Sequence, residues 1–331
     1  MTSRQSSEPW VRISSSEYGS PPAAVRLDVA VTRRGLVLFA AMCVIWGIPY
    51  LLIRVAVGEI SPAMLVFVRT GLAAVILLPI AFTRGGLGVI GRRWPALVAF
   101  AAVEVAAPWF FLSSAEQHIT SALAGLLISA VPLVSLVIAI GLGNRQQMGI
   151  ANVSGLLLGL LGVALIVGFN LGVSNLTALV EMAIVVVGYA LGPAILARYL
   201  TGIPAVTVNG VALALCCIAY APVAALQWPH VIPSLPVIGA VAVLAVVCTA
   251  LAFLLFFALI AEIGPVRATV ITYINPAIAG VLGVAVLHET LTLAMGLGFV
   301  LVLAGSTLAT RRPARTKVTS RATEPQPGKA L

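Results

Sequence analysis

The chain alternates long apolar runs with short polar breaks, and it does so ten times. The runs cover residues 35–57, 62–82, 95–114, 120–142, 149–168, 176–197, 204–226, 236–259, 266–287 and 291–310. Each is continuous and about 20 residues long, the length an α-helix needs to cross the hydrocarbon of a bilayer. Barrel strands would instead alternate apolar and polar residues over about 10 positions. The pattern therefore predicts an all-α integral membrane fold of ten transmembrane helices. The short breaks make consecutive helices antiparallel neighbours.

One stretch of this pattern is written twice. Residues 122–168 and 266–310 each carry an apolar run with a proline, a short polar break and a glycine-studded apolar run. Pro132 matches Pro276, Gly155 matches Gly298, and Gly162 matches Gly305. Loop charge then gives the orientation. Arg26, Arg33, Arg34, Arg84, Arg92, Arg93, Arg145, Arg198 and Arg267, with Arg311, Arg312, Arg315 and Lys317, fall on one side. The alternate loops 58–61, 115–119, 169–175, 227–235 and 288–290 contain no Lys or Arg. Positive loops stay inside, so both termini are expected in the cytoplasm of a multi-pass cell-membrane protein. Five spans per half is an odd number, so the halves should form two inverted five-helix repeats with a substrate site between them. The expected organisation is a disordered cytoplasmic tail (1–34), a first repeat (35–168), a second repeat (169–310) and a basic cytoplasmic tail (311–331). Neither tail has the apolar content to fold alone.

Composition excludes several classes. The 331 residues are 61% hydrophobic and only 9% charged, against roughly a quarter charged in a soluble domain. The net charge of +9 sits in tails and short loops without interleaved aromatics, which argues for membrane topology and against nucleic acid. Cys43, Cys216, Cys217 and Cys248 lie inside apolar runs and read as small core residues, not disulfides or metal ligands. No P-loop, dinucleotide turn, His/Cys cluster or nucleophile elbow occurs. No cofactor is expected, and ATP is not the direct energy source.

The order of smaller features resembles the EamA-type transporters of the drug/metabolite transporter superfamily. These features are Trp46-Gly47, Ser61-Pro62, Arg69 with Gly71 and Ala73-Ala74 behind it, and Ala115-Glu116 with a small-residue run into Pro132. Pro276, His288-Glu289-Thr290, Gly298 and Gly305 complete the series. The resemblance spans roughly residues 35–310 and implies a secondary carrier, commonly an exporter of amino acids or other small metabolites. It also implies a glutamate after the fourth span. Here Gly143-Asn144-Arg145-Gln146-Gln147 stands in its place, and Val187-Gly188-Tyr189 replaces a second Trp-Gly.

Candidate functional groups are the polar residues at depth. Glu104 lies mid-span, where an ionisable group costs on the order of 3 kcal/mol or more and needs a partner or a wet cavity. It suits a proton-coupled step; the other reading is a protonated core acid or an ion pair with Arg69. Arg69 is placed to grip a carboxylate or phosphate, or to lock the bundle by pairing with Glu104 or Glu181. Glu181 lies near one end of its span and either acts in the site or reaches the interface. Trp109, Trp46, Tyr50, Tyr189, Tyr273 and Asn275 occupy cavity-compatible positions, with ordinary packing as the alternative for each. Asn275, beside Pro276, mirrors Val131 beside Pro132, so the halves differ there. Glu116, His118, Glu262, His288 and Glu289 lie at helix ends, as solvated, capping or gating groups. Gly155, Gly159 and Gly162 form a small face for close helix packing.

The expected function is outward export of a small metabolite coupled to proton entry. Its partners are a small-molecule substrate, the lipid bilayer, protons and, as an open option, a second copy of the chain. A drug or toxic-compound exporter is the alternative within the class. An intramembrane lipid-modifying enzyme is the alternative outside it, but it would need clustered acids, histidines or a nucleophile near one face, and the chain is read as a non-enzyme.

Overall fold

A computed structural model describes residues 32–141, 150–170 and 176–310, and among them every regular element is helical. Ten apolar helices follow in order: α1 (Arg33–Ala56), α2 (Pro62–Arg84), α3 (Trp94–Ala115), α4 (Ser121–Gly141), α5 (Ile150–Asn170), α6 (Leu176–Tyr199), α7 (Ala205–Leu226), α8 (Leu235–Ile263), α9 (Ile271–Leu287) and α10 (Leu293–Ala309). The first eight are long and apolar enough to cross a membrane. The last two have 17 residues each, about 26 Å at 1.5 Å per residue, slightly less than the roughly 30 Å hydrocarbon core. The ninth apolar run begins later than its hydropathy suggests, because Pro265–Ala268 forms a separate short helix ahead of α9. α1 begins at Arg33, inside the segment expected as tail. The rest of the two tails and the stretch Gly143–Gln147 lie outside the described residues.

Hydroxyl side chains start several of these helices. Thr32, Ser61, Thr120 and Thr292 each accept a hydrogen bond from a backbone N–H three residues on. Such caps satisfy donors that the helix itself cannot. Prolines and one threonine shape the interiors. α1 is interrupted around Trp46–Ile48, just before Pro49, which has no N–H to continue the ladder. α4 is interrupted at Ser129–Ala130, before Pro132. α3 widens into a π-helical turn over Ala101–Ala106, immediately before Pro108. α8 carries a matching π-helical turn over Val246–Leu251 without a proline; there the Thr249 hydroxyl donates to Leu244 O at 2.8 Å.

The most extensive packing joins one half of the chain to the other. α5 pairs with α10, α2 with α7, α4 with α9, α3 with α6, and α1 with α8. Numbered within each half, the α3–α6 and α8–α1 pairs are reciprocal. The α5–α10 contact is reciprocal residue by residue. A Cβ on Gly162 would lie 2.6 Å from Gly298 O, and one on Gly155 would lie 2.7 Å from Gly305 O. Gly155 and Gly298 are sequence counterparts, as are Gly162 and Gly305, so the same contact is made twice. The glycine face read from the sequence is thus a backbone-to-backbone seam, where only the absence of side chains permits the approach.

Replacing Gly162 by alanine should cost about 1–3 kcal/mol, because its Cβ would meet backbone rather than a flexible side chain. Gly296 on the same helix pair has nothing within 4 Å, so Gly296→Ala should be neutral or stabilising. Thermal unfolding of the two purified variants in one detergent checks the difference.

Candidate functional site

α2 delivers Arg69 into the interior. The helix is lined with small residues there, and Thr70 returns its hydroxyl to Val66 O at 2.7 Å. Arg69 is only 6% exposed. Its Nε donates to Thr249 Oγ1 of α8 at 3.0 Å. Its guanidinium carbon lies 3.7 Å from the centre of the Trp109 ring of α3, within cation–π range. The Tyr189 side chain of α6 lies beside that of Trp109. Tyr50 of α1, Tyr189 and Glu116 all lie within electrostatic reach of the Arg69 charge. Five helices from both halves therefore converge on one arginine. Four of the sequence candidates, Arg69, Trp109, Tyr50 and Tyr189, are brought together. Thr249, a fifth member, was hidden in an apolar run; its only signal was a hydroxyl at mid-span.

The buried acids do not pair with Arg69. Among the described residues the ion pair present is Arg34–Glu262, 3.9 Å apart at a helix end. The expected Arg69–Glu104 or Arg69–Glu181 bridge is absent. Glu104 sits in the π-helical turn of α3, with its carboxyl laid against Gly192 of α6, where a side chain would collide with it. One carboxyl oxygen, Oε2, is sealed and has no hydrogen-bond partner. Tyr189 senses the Glu104 charge, so Glu104 borders the cluster from the α6 side. Glu181 does not reach the interface. It is 9% exposed, accepts from Ser114 Oγ at 2.6 Å and keeps its Oε2 sealed.

The structure gives the other candidates different neighbours from those of Arg69. Trp46 stacks among Phe253 and Phe256 of α8, with centroids 6.3 and 4.7 Å away. Asn275, oriented to satisfy its neighbours, donates to Ile271 O at 2.9 Å and Cys43 O at 3.1 Å, stapling α9 to α1. Tyr273 is half-buried on α9, and among the described residues no hydrogen bond or ring contact joins it to the Arg69 cluster.

The helix-end acids divide. Glu59 accepts from Ser234 N at 2.7 Å and from Ser234 Oγ, and these bonds hold its carboxyl below the ordinary range. Glu289 caps α4 from the opposite half: its carboxylate accepts from Ser121 N at 2.8 Å and Ala122 N at 2.9 Å. His288, in the left-handed region at φ 55, turns the chain to aim it there. Glu116 is not solvated as a helix-end residue should be. It is 0% exposed, and both its carboxyl oxygens are sealed without a partner.

Residues 33–168 and 176–311 each match the EamA-like transporter family. The chain belongs to that family, with two copies of its domain. It is 24% identical over 281 residues to "Uncharacterized transporter YvbV" of Bacillus subtilis (strain 168), covering 82% of this chain and 90% of that protein. A solved crystal structure with 22% identity superposes with a TM-score of 0.60, covering 83% of this chain and 96% of that one; at that identity it speaks for the fold alone.

Thr249→Val should strip Arg69 Nε of its acceptor while keeping the shape of the side chain. A buried donor left unmatched costs about 1–3 kcal/mol. The expected result is a lower melting temperature, whereas Thr307→Val at an exposed position should leave it unchanged.

Proposed function

We propose that this family member is a secondary carrier exporting a small carboxylate-bearing metabolite, such as an amino acid, in exchange for proton entry through Glu104. The reading includes ten membrane-crossing helices, arranged as two inverted five-helix repeats with both termini in the cytoplasm. The reciprocal pairing of helices from the two halves supports inversion, and the distribution of loop arginines supports the orientation. Export is the direction common among members of the family that the sequence resembles.

One observation carries the substrate class. Arg69 is a buried cation with no acid bonded to it. Its Nε is engaged by Thr249 and its π face by Trp109. Among the described residues the terminal nitrogens donate to no protein group, and they are not among the sealed polar atoms. A planar fork with free donors fits a carboxylate in a bidentate grip. Trp109, Tyr50 and Tyr189 would receive the apolar part of the same molecule. Glu104 is the acid bordering this group, placed so that gain or loss of its proton changes the local charge.

Transport into proteoliposomes tests both roles. Arg69→Lys retains the charge but loses the fork and the ring stacking, and should raise the half-saturating substrate concentration at least tenfold, about 1.4 kcal/mol. Glu104→Gln should abolish flux driven by a pH gradient while leaving substrate counterflow. Intact gradient-driven flux in Glu104→Gln would remove Glu104 from the coupling step.

A further inference from the structure

We propose that Glu116 is a second proton-binding site, separate from the Arg69 cluster, and that its proton holds shut the corner where α3 turns into α4. The inference does not depend on which substrate is carried.

Three observations carry it. The first is burial without compensation. Glu116 lies one residue beyond α3, is 0% exposed, and has both carboxyl oxygens sealed with no donor on either. An ionised carboxylate in that state loses its hydration and gains no hydrogen bond in return, whereas the neutral acid gives up far less. The second is how its neighbours are engaged. Arg54 of α1, the nearest cation, donates to the Glu116 main-chain oxygen. Arg69 is bonded to Thr249 and laid over Trp109. Tyr50 and Tyr189 face the same region and carry no charge that could offset an anion. The third is Glu289. Its carboxylate is fixed at the N-terminus of α4 by Ser121 and Ala122, close enough for its charge to oppose a second negative charge on Glu116. Burial first, and Glu289 next, push the Glu116 carboxyl above the usual carboxylate range, while Arg54 and Arg69 act in the other direction.

The corner is held at two points. Arg54 grips the end of α3 through the Glu116 carbonyl, and Glu289 grips the start of α4 from the opposite half of the chain. Gln117 adds a bond to Val57 O at 3.4 Å. When Glu116 releases its proton to water at this end, the new carboxylate becomes a stronger partner for Arg54 than the carbonyl. Arg54 then leaves the main chain, the Glu116 side chain turns out of its sealed pocket, and repulsion from Glu289 adds to the loosening. The proton moves between Glu116 and solvent, and no other bond forms or breaks.

The sign follows from the upward shift. The corner is closed at pH values below the Glu116 titration and loosens as pH rises through it. Infrared difference spectra of the purified, substrate-free protein across that range read the proton directly. One component of the protonated-carboxyl carbonyl stretch should be present at the low end of that range, fade as pH rises, be missing in Glu116→Gln and persist in Glu104→Gln. Amide exchange over residues 115–121, corrected for intrinsic rates, should rise at least tenfold over the same interval and stay flat in Glu116→Gln, which mimics the neutral acid. Should that variant not fold, reaction of the unmodified protein with dicyclohexylcarbodiimide, mapped by fragmentation, provides the readout. Labelling at Glu116 that fades as pH rises supports the proposal, and labelling at Glu104 with none at Glu116 overturns it. A protonated-carboxyl band unaffected by Glu116→Gln overturns it as well. None of these readouts involves transport, so they fail or succeed independently of the carrier reading.

Discussion

In a dry interior every backbone N–H and C=O has to find its partner within its own helix or from a side chain, and this requirement shapes the whole molecule. It is why the described chain is helical throughout, and why each departure from regular helix is repaired locally. The widened turn of α3 leaves carbonyls unpaired, and α7 supplies donors: Tyr220 to Ala106 O at 3.0 Å and Cys216 to Ala101 O at 3.4 Å. In α8 the Thr249 hydroxyl takes up Leu244 O. Candidate functional side chains gather at these repaired places. Glu104 is part of the α3 turn and Trp109 follows it, Thr249 is part of the α8 turn, and Tyr50 follows the α1 break. Departures from the helix ladder bring polar groups into the bundle that a regular apolar helix would not tolerate.

The two halves share a frame and differ in chemistry. Their helices pair reciprocally, and both third helices carry a six-residue π-helical turn. The fourth residue of that turn is Glu104 in one half and Thr249 in the other. Arg69 belongs to α2, whereas its pairing partner α7 contains no charged residue. Within the frame, then, the first half contributes Arg69 and Glu104, and the second contributes the hydroxyl that orients the arginine. Under the proposed function, that inequality would give a symmetric scaffold a preferred way to hold an asymmetric molecule.

The frame was legible in the sequence because it depends on periodic and local features. Long apolar runs, prolines that stop a ladder and glycines repeated on one face declare themselves without tertiary information. The partnerships of the polar groups did not. Opposite charges on neighbouring spans suggested an Arg69–Glu104 bridge, but the widened turn sends Glu104 against Gly192 of α6 instead. Glu116 stands among Ser113, Ser114, Gln117 and His118, the composition of a wet loop. Its neighbours Arg54 and Glu289 both lie far from it along the chain. Nothing local to Asn275 shows that Cys43 O of another helix lies beside it.

Charge balance ties the site and the acids together. Arg69 lies within electrostatic range of Glu116, and Tyr189 beside it lies within range of both Glu104 and Glu116, so both acids act on the cluster without bonding to it. With both acids neutral, the single positive charge is uncompensated and an incoming carboxylate restores balance. With both ionised, the region already holds a negative excess, and a further anion is repelled. Attraction in a medium of low effective dielectric is several-fold stronger than in water, so the acids need not touch the substrate to change its affinity. Under the proposed function, proton binding and anion binding would favour each other by the same coupling free energy, whichever is taken first. In the exchange proposed above, that link would come from one buried arginine whose surrounding cluster lies within electrostatic range of two acids with unpartnered oxygens.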